Sequence, residues 1–89
     1  MIKVKNIFDG VKGPEVRLLQ TILKGRGFKG LNGTELSLDG ECGANTVKAI
    51  NDYQAARRKQ GVELGTNGKN DGSCGRKMWN DLTGGLVVS

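Results

Sequence analysis

The fold of this chain is decided by one stretch, DGECGANTVKAI at residues 39–50, and by its second copy, DGSCGRKMWNDL at residues 71–82. Both copies begin Asp-Gly-x-Cys-Gly and continue with apolar residues at helical spacing. The copies are offset by 32 residues, the difference between positions 71 and 39. Two copies are fewer than a solenoid needs, so the repeat indicates a duplicated loop–helix unit within one small domain.

Each copy predicts a tight turn that leads into a helix. In an Asp-Gly turn the carboxylate accepts hydrogen bonds from nearby backbone amides, and the glycine takes a left-handed conformation. The second glycine of each copy, Gly43 or Gly75, is an acceptable N-cap. We therefore expect helices over about 44–60 and 76–83, each ended by a glycine. Their inward faces are predicted to carry Thr46, Val47, Ile50, Tyr53 and Gln54, and then Met78, Trp79 and Leu82.

A further helix is predicted ahead of the repeat. The proline that follows Gly13 is pre-organised for the first helical position, and Glu15 suits the first turn. Gly25 and Gly27 end this helix. Its apolar stripe consists of Val16, Leu19, Ile22 and Leu23. We expect an all-α fold, a three-helix bundle with an approximate two-fold relating the two loop–helix units. It should form a single domain over residues 1–89, with its core at about 10–84.

Composition excludes several classes of protein. The 89 residues contain no histidine, which removes Ser-His and Cys-His dyads and imidazole metal ligands. The nine carboxylates are not paired by any motif for acid–base chemistry. No stretch approaches the ~20 apolar residues of a membrane span. We expect no enzymatic activity and no cofactor, while the net charge of +5 favours anionic partners.

The ordered set of motifs resembles the peptidoglycan-binding domain family that is appended to bacterial and phage cell-wall hydrolases. Three groups carry the resemblance, which spans about 10–84. They are Gly13, Val16, Leu19, Gln20 and Leu23; then Asp39, Gly40, Gly43 and Thr46 with the pair Tyr53-Gln54; and then Asp71, Gly72, Gly75, Trp79 and Leu82. The pattern departs from the family where Cys42 and Cys74 replace apolar residues and where Met78 replaces a threonine.

The resemblance implies a non-catalytic module that binds peptidoglycan, through its glycan or its stem peptide. Such a module tethers a catalytic domain of the parent chain, or a partner protein, to the wall. Anionic wall polymers are a further expected partner. A protein–protein adaptor with the same fold is the alternative, and nucleic-acid binding is disfavoured because it leaves the repeat unexplained.

We expect this domain outside the cell or at the cell wall, within a larger exported or phage-delivered protein. The start of the chain, residues 1–5, lacks the apolar core of a secretory signal peptide.

Four residues are candidate ligand contacts, and structural roles are the competing interpretation for each. The Tyr53 hydroxyl can reach water from a packed ring, and the Gln54 amide suits amide-rich ligands. Thr46 lies on the same helix face. Arg57 either meets an anionic polymer or complements the dipole at the end of its helix.

The two repeated loops are predicted to be structural turns. Calcium needs six or more oxygen ligands, and each loop offers one obvious carboxylate, so no metal site is expected. The turn residues are Asp39, Gly40, Gly43, Asp71, Gly72 and Gly75.

Cys42 and Cys74 leave two main alternatives open. They are either buried free thiols that pack as small apolar groups or a disulfide that links the two loops. Metal binding by two thiolates alone is disfavoured.

Overall fold

The computed structural model describes residues 2–3, 6–64, 71–84 and 87–88, the first and last of these ranges by backbone pairing alone. Its elements in chain order are β1 (Ile2–Lys3), α1 (Pro14–Gly25), a 3-10 turn (Leu31–Gly33), α2 (Ala44–Lys59), α3 (Arg76–Thr83) and β2 (Val87–Val88). The strands β1 and β2 pair in parallel, with Ile2 opposite Val87. The three helices confirm the predicted all-α class. The two-residue strand pairing was not part of the prediction.

The helices begin and end where their glycines and proline predicted. The chain enters α1 through Gly13, and Gly43 and Gly75 are the N-caps of α2 and α3. Gly27 and Gly61 follow α1 and α2 with φ values of 87° and 86°.

Both of these helix ends are Schellman motifs. After α1, the Phe28 amide donates to the Leu23 carbonyl at 3.0 Å, and after α2 the Val62 amide donates to the Arg57 carbonyl at 3.0 Å.

One buried cluster joins the three helices. Val16, Leu19 and Leu23 of α1 lie in it, as do the predicted inward residues of α3, while Ile22 is partly buried against it. Helix α2 contributes Ala49, Ile50 and Tyr53. Phe28 packs edge-on against the Tyr53 ring, with 5.4 Å between ring centroids. Trp79 is fully buried, as expected of a core residue. Within the described ranges, no helix combines the length and apolar character needed to cross a membrane.

The buried core also includes Ile7, which lies close to the start of the sequence. Ile7 has no exposed surface. Its backbone amide donates to the Cys74 carbonyl at 3.0 Å, and the Cys74 amide donates back at 2.7 Å. Ile7 is therefore held in the core by the second Asp-Gly loop, a partner 67 residues away that no local pattern reveals (74 minus 7).

Candidate functional site

The segment at residues 6–13 lies between the two Asp-Gly loops and pairs with both. Ile7 pairs with Cys74 of the second loop. The Gly10 amide donates to the Cys42 carbonyl at 2.8 Å, and the Cys42 amide donates to the Val11 carbonyl at 2.9 Å. One extended segment therefore sets the relative position of the two loops.

A buried glutamine of α1 forms hydrogen bonds to the first loop. Gln20 Nε2 lies 3.0 Å from Asp39 Oδ1, from the Glu41 carbonyl and from Thr46 Oγ1. Gln20 Oε1 accepts a hydrogen bond from the Gly40 amide at 3.0 Å. The pKa of Asp39 is held below its ordinary value by hydrogen bonds to its carboxylate. The larger effect comes from the Glu41 backbone amide and the smaller from the Gln20 side-chain amide. The loop geometry is thus fixed by one side chain from the core.

A glutamine of α2 does the same for the second loop. Gln54 Nε2 donates to Asp71 Oδ1 at 2.9 Å and to the Ser73 carbonyl at 2.8 Å. Its Oε1 accepts from the Asp71 amide at 3.1 Å. In both loops the aspartate also accepts from the backbone amide two residues on, at 3.0 Å. Each aspartate therefore bonds within its own turn.

Gln20 was absent from the predicted site, although the sequence contains a signal for it. Each glutamine directly follows a large core residue, Leu19 or Tyr53. Gln20 precedes its loop aspartate by 19 residues, and Gln54 precedes its own by 17. A longer repeat, made of a helix and the loop that follows it, was therefore detectable.

The structure buries most of the surface of Thr46, Tyr53 and Gln54. Their exposed fractions are 3%, 2% and 0%. Thr46 Oγ1 accepts from Gln20, and the Tyr53 hydroxyl donates to the Asp81 carboxylate. The helix face that carries these residues is the face that packs on the core, and Thr46 also lines the open cavity beside the first loop.

Arg57 joins α2 to α3. Its Nε and Nη2 donate to the two carboxylate oxygens of Asp81, both at 2.9 Å. Burial alone would raise the pKa of Asp81, but hydrogen bonds from Tyr53 and Arg57 outweigh it and lower that pKa. The Arg57 side chain is about one-third exposed, and its guanidinium group is already paired with the Asp81 carboxylate.

Cys42 and Cys74 are both free and buried in the structure. Burial, and then the Asp9 carboxylate, raises the pKa of Cys42 to about 11. Burial also raises the pKa of Cys74, with a smaller contribution from Cys42. Both thiols are protonated at neutral pH, which makes them poor nucleophiles and poor metal ligands. Among the described residues, no group of three or more acidic or cysteine side chains is placed to hold a metal ion.

Two open cavities flank the loop–helix junctions. The first-loop cavity, of about 250 Å³, is lined by Leu31, Ser37, Asp39, Glu41 and the start of α2. The second-loop cavity, of about 380 Å³, is lined by Asn6, Phe8 and Leu64. Its lining also includes Asp71, Ser73 and the start of α3. Each of these two cavities lies where a loop meets the helix that follows it.

Comparisons with known proteins point to one family. Residues 12–60 match the sequence model of a family described as a peptidoglycan binding domain. A search of curated proteins finds no significant match.

The fold is similar to part of a solved structure, the Burkholderia AP3 phage endolysin, with a TM-score of 0.69 and 26% sequence identity. The alignment covers 96% of this chain and 27% of the endolysin. The chain thus corresponds to about a quarter of the length of that protein. From the match over residues 12–60, which is more than half of the sequence, the chain belongs to the peptidoglycan binding domain family.

Proposed function

We propose that this domain is a non-catalytic module that binds peptidoglycan and tethers a cell-wall hydrolase, or an associated protein, to the wall. The observation that carries the proposal is the family match over residues 12–60. The similarity to a 27% portion of an endolysin agrees with a role as one part of a larger assembly. A module that holds a catalytic partner against insoluble wall raises the effective concentration of that partner there. The proposed location is the cell wall or the space outside the cell.

The chemistry of the described residues supports binding over catalysis. The Asp39 and Asp71 carboxylates are engaged by glutamine side chains and loop amides, so they serve the turns. The Cys42 and Cys74 thiols are buried and hard to ionise. We propose that both cysteines act as small apolar groups behind the loops.

We assign positioning roles to the four predicted contact residues. Thr46 and Gln54 bond to the groups that hold the loops, while Tyr53 and Arg57 tie α2 to α3 through Asp81. The ligand would then lie against the first-loop and second-loop cavities, whose walls these residues support.

We also propose that the two loop–helix units are related by an approximate internal two-fold. Matched glutamine bonds, matched Asp-Gly turns and matched glycine N-caps support this relation. Gly40 and Gly72 share φ values of 73° and 69°, and Gly43 and Gly75 share ψ values of −166°. The relation would give the domain two cavities at equivalent positions beside its loops.

Co-sedimentation with purified insoluble peptidoglycan tests the function. The wall should be used with and without its anionic polymers, over a series of salt concentrations. We expect retention on stripped peptidoglycan that persists when salt screens surface charge. Retention that disappears with salt would show only the attraction of a basic protein to an anionic surface. No retention on either wall would refute the function and favour an adaptor role.

A further inference from the structure

The two loop cavities differ in charge at equivalent positions. The first residues of α2 are Ala44 and Asn45, while the corresponding residues of α3 are Arg76 and Lys77. Both cations line the second-loop cavity. Among the described residues that line the first-loop cavity, two are carboxylates and none is a cation. Of these two cavities, the second-loop cavity is therefore the one that favours an anionic group.

Arg76 and Lys77 lie where a helix disfavours positive charge. The first turn of a helix carries partial positive charge, and α3 has no acidic residue there to offset it. Both side chains are exposed, and neither forms an ion pair or hydrogen bond with the described residues. Local choices that oppose the stability of the fold are expected at functional sites. The two cations are therefore available to a ligand and are not explained by the folding of α3.

The described lining of the same cavity holds one carboxylate, which the second loop already uses. Asp71 Oδ1 accepts from Gln54 and from the Ser73 amide. Because Arg76 and Lys77 outnumber Asp71, the described lining of the cavity has a net positive charge.

An exposed aromatic ring also lines the cavity. Phe8 is 53% exposed, whereas its neighbour Ile7 is fully buried, because successive side chains of an extended segment point to opposite sides. Pairing of Ile7 with Cys74 fixes the backbone next to Phe8. Leu64 adds apolar surface to the lining. The cavity therefore combines two cations with apolar surface.

We propose that the second-loop cavity binds a free carboxylate of the peptidoglycan stem peptide, with Arg76 and Lys77 contacting the carboxylate and Phe8 contacting the alkyl side chain next to it. The inference rests on the proposed function. Wall peptides combine free carboxylates with small alkyl groups, whereas the hydroxyl-rich faces of the glycan need no paired cations. Arginine binds a carboxylate through two parallel hydrogen bonds, which gives the contact direction as well as charge.

The test compares two double variants that each remove two positive charges. Arg76→Ala with Lys77→Ala empties the cavity of cations. Lys24→Ala with Lys59→Ala is the matched control, since both lysines are exposed in the last turns of α1 and α2 and line none of the described cavities. The probe is peptidoglycan stripped of anionic polymers, used either untreated or with its carboxylates converted to amides.

On untreated peptidoglycan, the Arg76/Lys77 variant should bind at least about tenfold more weakly than the original protein. This is the effect expected when charge-assisted contacts to the carboxylate are lost. The Lys24/Lys59 variant should bind like the original protein. Amidation of the peptidoglycan should weaken binding of the original protein by a similar factor and leave binding of the Arg76/Lys77 variant unchanged.

Equal binding by the two double variants would overturn this inference while leaving the proposed function intact. The inference also fails if amidation weakens the original protein and the Arg76/Lys77 variant to the same extent. Failure of the original protein to bind untreated peptidoglycan would instead refute the proposed function. Thermal unfolding checks the folding of the Arg76/Lys77 variant, and Arg76→Gln with Lys77→Gln replaces it if it does not fold.

Discussion

At the scale of single residues, two buried glutamines hold this domain's loops in place. Gln20 and Gln54 are each at most 1% exposed, and each bonds to backbone groups as well as to an aspartate. A buried amide is tolerated because its donors and acceptors are given partners. The loops in turn depend on the glutamines, which donate to the Glu41 and Ser73 carbonyls and accept from the Gly40 and Asp71 amides.

Replacing Gln54 with leucine should destabilise the domain. The Asp71 amide and the Ser73 carbonyl would lose their partner, at a combined cost of about 1–3 kcal/mol. Urea unfolding measures the change. Gln60→Leu is the control, because Gln60 is exposed at the end of α2. Equal losses in the two variants would show that the loop hydrogen bonds contribute little.

Asp81→Asn should destabilise the domain at neutral pH by about 1–3 kcal/mol, because the carboxylate accepts two hydrogen bonds from Arg57 and one from Tyr53. The pKa of Asp81 is lowered in the folded state. Its contribution is therefore present above the ordinary pKa of 3.8 and is lost as pH falls through the folded pKa.

Urea unfolding of Asp81→Asn and the original protein over an acidic pH series should show the difference shrinking as Asp81 is protonated. Asp52→Asn is the control, since the Lys48–Asp52 pair is more than 40% exposed and should contribute at most about 0.5 kcal/mol. A difference that stays constant with pH would contradict the ion-pair explanation.

At the scale of elements, the packing of α2 against the loop before it depends on one glycine. Gly30 is buried, and the Asn45 side chain of α2 lies over it and accepts a hydrogen bond from the Leu31 amide at 3.0 Å. A Cβ at Gly30 would lie 2.6 Å from the Asn45 Cβ. The close approach, and not an unusual backbone conformation, explains this glycine, since its φ is −82°.

Gly30→Ala should therefore cost about 1–3 kcal/mol, the usual range for overpacking. Gly25→Ala is the matched control at the end of α1, where an added Cβ meets nothing within 4 Å. That variant should be neutral or more stable by about 0.4–1 kcal/mol, because alanine reduces the freedom of the unfolded chain. Thermal unfolding of both variants tests the pair, and a stable Gly30→Ala protein would contradict the described contact.

At the scale of the whole molecule, one buried region behind both loops contains groups that resist ionisation. Burial is the largest cause of the raised pKa of Cys42, of Cys74 and of Tyr53. The pKa values of Cys42 and Tyr53 rise to about 11 and about 12, from ordinary values of 9.0 and 10.0. Deprotonation is therefore easier in the unfolded chain than in the folded domain.

Stability should consequently fall as pH rises from about 9 towards about 11. The unfolded thiols lose protons in this window while the folded thiols keep them, so the free energy of unfolding decreases. Urea unfolding at several alkaline pH values measures the slope. The double variant Cys42→Ala, Cys74→Ala should show a flatter decline, and an unchanged slope would mean that other groups cause it.

The sequence by itself determined the three helices, their bounds and the family. These features are local: a proline after Gly13 starts α1, and Gly43 and Gly75 cap α2 and α3. Apolar periodicity also assigned the core faces, because a helix repeats its contacts every three to four residues. The Asp-Gly turns followed from side-chain chemistry within a few residues of each aspartate.

Only the tertiary structure decided what the polar residues do. Periodicity places Gln54 on a face but cannot tell an exposed amide from a buried one, since that depends on Asp71, 17 residues away. Burial of Ile7 likewise depends on Cys74, a distant partner in the chain. The cavities also form only when the first segment, the loops and the helix starts come together. The physical reason is that solvent access is a property of the assembled surface. No single stretch of sequence contributes enough of that surface to define it.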